Sequence, residues 1–158
     1  MSQWFEGWSE ADVVTLRFGP VWVLSALAGR TVFDEDERGA FWDAVTDAAL
    51  RSTGAGRAVF ETAASERRWL FDEFALDGRP VVSGLLAVTR LLERLSAEAR
   101  DDVRLGIVRV GAAVALARGP FGRRMTTEDE QTLILVDELL RTSRETAEDN
   151  PMNSPAAI

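Results

Sequence analysis

Two short acidic turns hold the side chains of this 158-residue chain that are best suited to chemistry. They are Asp34-Glu35-Asp36-Glu37 and Thr126-Thr127-Glu128-Asp129-Glu130. Carboxylates at this density are hard oxygen donors of the kind that hold Ca²⁺ or Mg²⁺. Read as an EF-hand loop, the first turn begins well, with Asp34 and Asp36 at the first and third positions and Gly39 at the sixth. It then fails, because Arg38 occupies a ligand position and Val45 stands where the bidentate glutamate belongs. The plainer reading is helix capping. Asp34 is a good N-cap with Glu37 at N3, Phe33 at N′ is placed for a hydrophobic staple, and the acids suit the positive end of a helix dipole. In the second turn either Thr126 with Asp129 or Thr127 with Glu130 can form the corresponding box.

Other side chains with chemical potential are less well placed. Asp72-Glu73 and Asp101-Asp102 are adjacent pairs, and neighbours on a helix point in different directions instead of converging on one substrate. Ser25 and Ser83 lack a base to activate them. Arg67-Arg68 and Arg123-Arg124 read as solvated surface before they read as an anion site. Trp22, Trp42 and Trp69 read as core packing before a ligand stack.

Absent residue types narrow the chemistry further. The chain has no Cys, His or Tyr, and all of its 18 basic side chains are Arg. Disulfides, thiolate metal sites, the usual general base, Ser-His-Asp triads, Schiff-base lysines and a standard P-loop are therefore excluded. A formal charge of −8 and a pI near 4.6 argue against binding nucleic acid, which rewards clustered positive charge. The first ten residues are acidic and lack an apolar run, so no secretory signal is expected. No apolar run reaches the length of a membrane span. A soluble cytoplasmic protein is the expectation.

The elements that position the two turns follow from hydrophobic period. Trp4, Phe5 and Trp8 can lay three rings on the core from an N-terminal turn, and Ser9 followed by Asp12 opens the first full helix. Gly19-Pro20 predicts a kink or break, after which residues 21–28 are apolar on nearly every side and read as a buried central helix. Gly29 is placed to stop it. The helix opened by Asp34 is expected to run to about Arg51 and end at residues 52–56. Residues 57–75 read as one amphipathic helix, and Asp77-Gly78-Arg79-Pro80 is the clearest turn. Val81, Leu85, Val88, Leu92 and Leu95 form one apolar seam, and Val103, Ile107, Val110, Val114 and Ala117 form another. Residues 96–102 mark the junction between these two helices. Gly111, Ala112, Ala113 and Ala115 leave room for a ring such as Trp22. The last helix carries Leu133-Ile134-Leu135-Val136 as a buried run and is expected to reach about Thr146, with a disordered tail over 148–158.

Residues 25–37 and 114–129 share a plan. Each has a small-residue helix, a Gly-containing loop, an apolar residue (Phe33 or Met125), a polar cap (Asp34 or Thr126) and an acid three further on (Glu37 or Asp129). The copies lie about ninety residues apart. This arrangement resembles the TerB-like, tellurite-resistance-associated helical family, over about residues 13–146. The resemblance implies two pseudo-repeated helical units and a stress-response interaction or scaffold role. It also implies that the two acidic turns come close together, so that Asp34, Asp36, Glu37, Asp129 and Glu130 could share a cation. The family's Ala-Asp-Gly before the first loop is here Ala28-Gly29-Arg30, without its Asp.

The sequence thus predicts an all-α bundle of six to seven helices in one domain, residues 1–147, with pseudo-repeats at 9–76 and 80–147. The expected function is a non-enzymatic module that binds a protein partner or itself. The alternative is a divalent-cation or small-ligand binding protein built on acidic helix N-termini.

Overall fold

In the computed structural model, residues 3–119 and 124–141 are described. After a 3₁₀ turn at Gln3–Phe5 come eight α-helical segments: α1 (Glu10–Arg17), α2 (Gly19–Ala28), α3 (Glu35–Arg51), α4 (Gly54–Ser65), α5 (Leu70–Asp77), α6 (Val81–Leu92), α7 (Ala97–Arg118) and α8 (Thr127–Leu140). No strand occurs among the described residues. α1 and α2 meet at Phe18, so counting them as one broken helix gives the all-α bundle of seven.

The break at Phe18 has the predicted cause. Pro20 falls at the start of α2, where its missing N–H costs no helical hydrogen bond, and the ladder resumes with the Trp22 N–H donating to the Phe18 carbonyl (2.9 Å). Gly29 then ends α2 in the left-handed conformation, with φ 71°. Between these stops, Val21, Trp22, Val23, Leu24, Ser25 and Leu27 are all buried. Together, Glu10–Ala28 has the length and mean hydropathy (1.3) of a membrane crossing, although Glu10, Asp12 and Arg17 keep it from being one apolar run. Most of that span (56%) is buried inside the bundle, as the core helix of a globular domain is.

α7 is the spine beside this core helix. Its Val103, Ile107, Val110 and Val114 are buried, as the seam predicts, although Ala117 is exposed. α2 and α7 run in the same direction, with Gly19 against Ile107 and Val23 against Gly111. The room left by Gly111 is taken by Val23 and Leu133, not by Trp22. Trp22 lies instead over Gly84 of α6, which runs antiparallel to α2. α8 returns antiparallel to α7, with Arg104 paired to Asp137 (2.6 Å) and Arg118 to Asp129 (3.7 Å).

Four further expectations need correction. Residues 57–75 are not one helix, because α4 stops at Ser65 and the chain turns through i→i+3 bonds such as Trp69 N–H to the Glu66 carbonyl (2.9 Å) before α5 begins. That turn re-aims the chain so that Leu70, Phe71 and Phe74 all face inward. The expected interruption at 52–56 is confined to Ser52 and Thr53, since α4 already starts at Gly54. The expected junction at 96–102 is also shorter, since α7 starts at Ala97 with the Ser96 hydroxyl accepting from Ala99 N–H (3.3 Å). In α8 only Leu133, Val136 and Leu140 of the apolar residues are buried, while Ile134 and Leu135 are about 60% exposed. The helix ends at Leu140 with Arg141 extended. The expected disordered tail over 148–158 lies outside the described residues.

Aromatic rings fill the space between α2, α3 and α5. Phe18, Trp22 and Phe74 meet edge to face at 5.5–5.8 Å, and Phe41, Trp42 and Phe71 do so at 5.0–5.4 Å. At the N-terminus Phe5 is buried and Trp8 half-buried, while Trp4 stays partly exposed.

The Trp22–Gly84 contact sets two effects against each other. Alanine is intrinsically the better helix former by about 1 kcal/mol. A Cβ at Gly84 would, however, interpenetrate the indole, and overpacking costs about 1–3 kcal/mol. Gly84→Ala is therefore expected to lower the urea midpoint, whereas an unchanged or raised midpoint would show that the indole has room.

Candidate functional site

The first acidic turn is held by a network more local than a ligand site requires. Asp34 is the N-cap of α3, with Glu37 N–H donating to its Oδ1 (2.8 Å) and its own N–H donating to Glu37 Oε1 (3.0 Å), so both halves of the capping box are closed. The same Glu37 oxygen accepts from Arg30 Nη2. Arg30 Nη2 also lies 3.6 Å from Asp34 Oδ2, and Arg30 Nε donates to the Val32 carbonyl (3.1 Å). The loop is tied to the core helix by the buried Ser25 hydroxyl, which donates to the Arg30 carbonyl (2.8 Å).

The staple forms differently from the prediction. N4 of α3 is Arg38, whose Nε donates to the Phe33 carbonyl (3.1 Å). The buried Phe33 ring packs edge to face against Phe71 of α5 (5.6 Å) and lies tilted against Phe74 (6.2 Å). The apolar partner is thus supplied from across the bundle.

The second turn settles its register. Thr126 caps α8, its hydroxyl accepting from Asp129 N–H (3.2 Å). Asp129 is buried, with its carboxylate toward Arg118 of α7.

Arg118 also lines an open groove of about 550 Å³ between the start of α3 and the end of α7, together with Arg30, Asp34, Asp36, Glu37 and Ala40. Arg118 thus borders the groove that Asp34, Asp36 and Glu37 line and pairs with Asp129, while Asp34 and Glu37 pair with Arg30 instead. Glu130 is exposed and does not line that groove. Between the carboxylates stand two guanidiniums, Arg30 and Arg118, and no three acidic side chains converge on one point among the described residues. The arrangement neutralises buried and capping carboxylates by direct charge pairing.

Other acids are occupied in the same way. Asp102 Oδ2 accepts from Gly56 N–H at the start of α4 (2.8 Å), and Asp101 pairs with Arg104 (3.3 Å). Glu73 pairs with Arg17 (3.1 Å). Asp77 and Arg79 form a fork at 2.7–2.8 Å, from which Arg79 also donates to Thr15 and lies over the Trp22 ring. The partners joined across the fold, Gly56 with Asp102, Arg17 with Glu73 and Arg79 with Thr15, lie 46 to 64 residues apart and carry no local sequence signal. Compared with known proteins, the chain matches no family model, no curated protein and no solved structure.

The backbone hydrogen bond from Glu37 chiefly holds the Asp34 carboxyl below the ordinary aspartate value of 3.8, with Arg30 adding to it. The Arg94 side-chain hydrogen bond does the same for Asp12, and Arg79 does so for Asp77. A depressed carboxyl contributes stability above the unfolded value and loses it as pH falls through the lower folded value. Asp34→Asn is therefore expected to melt below the parent protein at neutral pH, with the gap closing below about pH 4. A gap independent of pH would contradict this. Because Arg30 already holds Asp34 and Glu37, and Arg118 holds Asp129, millimolar Ca²⁺ is expected to leave the melting midpoint of the parent protein in place. A cation selective for the folded state would raise it.

Proposed function

We propose that this protein is a non-enzymatic interaction module of the TerB-like kind, a cytoplasmic scaffold in stress response, that pairs with a second copy of itself through the outer face of α6 and α8. The two acid-capped turns of the duplicated plan hold helix ends, and binding is done elsewhere. The observation that carries this reading is a run of exposed apolar side chains: Val82 (53%), Leu86 (39%), Ile134 (59%) and Leu135 (60%). Scattered exposed leucines need no explanation, but a contiguous apolar strip does.

Contiguity follows from the packing. α6 and α8 are parallel, because both run antiparallel to the α2–α7 pair. Thr89 Oγ1 of α6 donates to the Leu139 carbonyl of α8 (2.6 Å). One turn earlier on each helix stand Leu86 and Leu135, at the same height along the shared border. The strip is flanked by opposite charges, Arg90 one turn beyond Leu86 and Glu138 one turn beyond Leu135. Both are exposed, and neither is ion-paired among the described residues. A two-fold arrangement sets Arg90 of each copy against Glu138 of the other, as a self-complementary patch requires.

Sedimentation velocity across a concentration series tests the pairing. The parent protein is expected to shift from monomer to dimer, and Leu86→Glu with Leu135→Glu to stay monomeric with its helical content retained. Arg90→Glu is expected to weaken the dimer by about tenfold or more, and adding Glu138→Arg to restore it. A parent protein that is monomeric throughout, or a charge swap without rescue, would refute self-pairing through this face.

A further inference from the structure

A second groove, of about 660 Å³, lies between the first turns of α3 and the α4–α5 turn, lined in part by Arg38, Trp42, Arg67, Arg68 and Phe71. Its floor is aromatic, since the Trp42 and Phe71 rings meet at 5.4 Å and both are more than nine-tenths buried. Guanidiniums lie on that floor. Arg38 stands 5.1 Å from the Phe71 centroid and Arg67 5.3 Å from the Trp42 centroid, while Arg68 lies 5.1 Å from the neighbouring Trp69 ring, itself 53% exposed.

What distinguishes these three arginines is a ring beneath the guanidinium with no acid beside it; the exposed Arg90 and Arg109 also lack an acid but lie on no ring among the described residues. Arg17, Arg30, Arg79, Arg94, Arg104 and Arg118 each hold a carboxylate within 4.0 Å. Arg38, Arg67 and Arg68 hold none among the described residues, although Glu35, Asp36 and Asp72 line the same groove. A guanidinium laid on a ring has given up part of its hydration and much of its rotamer freedom, while its terminal Nη edge stays open to a planar, bidentate acceptor, even in Arg38, whose Nε is spent on the Phe33 carbonyl. Three such edges beside one aromatic floor form a receptor for carboxylates, arranged before any ligand arrives.

We infer that this groove binds an acidic peptide segment of a protein partner, with spaced Asp or Glu carboxylates each meeting one stacked arginine. The interleaved Glu35, Asp36 and Asp72 favour that ligand over a phosphate-rich one. They bring the summed charge of the groove to about zero, so a continuous polyanion meets as much repulsion as attraction. Single carboxylates separated by neutral residues can settle on the cations and pass between the acids. The site uses α3 and the α4–α5 turn, so it stands independently of self-pairing through α6 and α8.

The test is fluorescence anisotropy with a labelled peptide of alternating glutamate and alanine, its glutamine counterpart serving as the neutral probe. The expected result is saturable binding of the glutamate peptide by the parent protein, weakened at least about tenfold in Arg67→Gln with Arg68→Gln, and unaffected by Arg109→Gln, an exposed side chain of α7 away from the groove. Both variants alter exposed side chains, and circular dichroism checks that their helices are intact. Absence of binding to the parent protein would overturn the inference. So would equal binding of the glutamine peptide, equal loss in Arg109→Gln, or displacement of the peptide by inorganic phosphate at matching concentration.

Discussion

α2 has no polar face to turn toward water, and the rest of the bundle is arranged to meet that constraint. Six of its last eight side chains are buried, and each aliphatic one contributes about 2 kcal/mol when fully removed from water. Neighbours are therefore needed on every side, and they must come close. α7 approaches where Gly111 replaces a side chain, α6 approaches where Gly84 receives the Trp22 indole, and α8 closes the remaining side with Leu133. The one buried hydroxyl of α2, Ser25, is spent on the Arg30 carbonyl, so the core helix also fixes the loop that leads into the first acidic turn.

From that loop outward, charge serves geometry. Arg30 joins Glu37 and Asp34, Arg118 joins Asp129, and Arg79 bridges Asp77 and Thr15 while covering Trp22. In a chain of net charge −8 with no lysine, arginine carries all of this pairing, and its planar fork suits carboxylates held by two hydrogen bonds. The arginines left without an acid stand out against this background. Those above the Trp42–Phe71 floor exist because the chain turns between α4 and α5. The same turn that sends Phe71 and Phe74 inward leaves Arg67 and Arg68 on the rim.

Much of this fold was legible in the residues. Pro20 and Gly29 bounded the core helix, Asp34 and Glu37 announced a capping box that forms on both sides, and the fours and threes of α6 and α7 marked seams that are buried except at their ends, Val81, Leu95 and Ala117. What was not legible depended on partners distant in sequence. Nothing in Glu66-Arg67-Arg68-Trp69 breaks a helix by itself, and the turn there answers to the aromatic core that Phe71 and Phe74 join. In α8 the run from Leu133 to Val136 looked uniformly apolar, yet a helix presents only positions 133, 136 and 140 to one side, and Ile134 and Leu135 necessarily face out. At the acidic turns the carboxylates were visible, but the guanidinium that meets Asp129 belongs to Arg118 on a separate helix, and the seam that gives that helix its register does not say which carboxylate its end will meet.

Native-state hydrogen exchange of the α2 amides tests the central role of this helix most directly, because a segment enclosed on all sides opens only when the whole domain does. The account predicts that the amides of Val23, Leu24 and Leu27 are among the slowest in the chain and exchange with the free energy of global unfolding, while those of the α8 outer face open earlier. Exchange of the α2 amides through a smaller, local opening would contradict it.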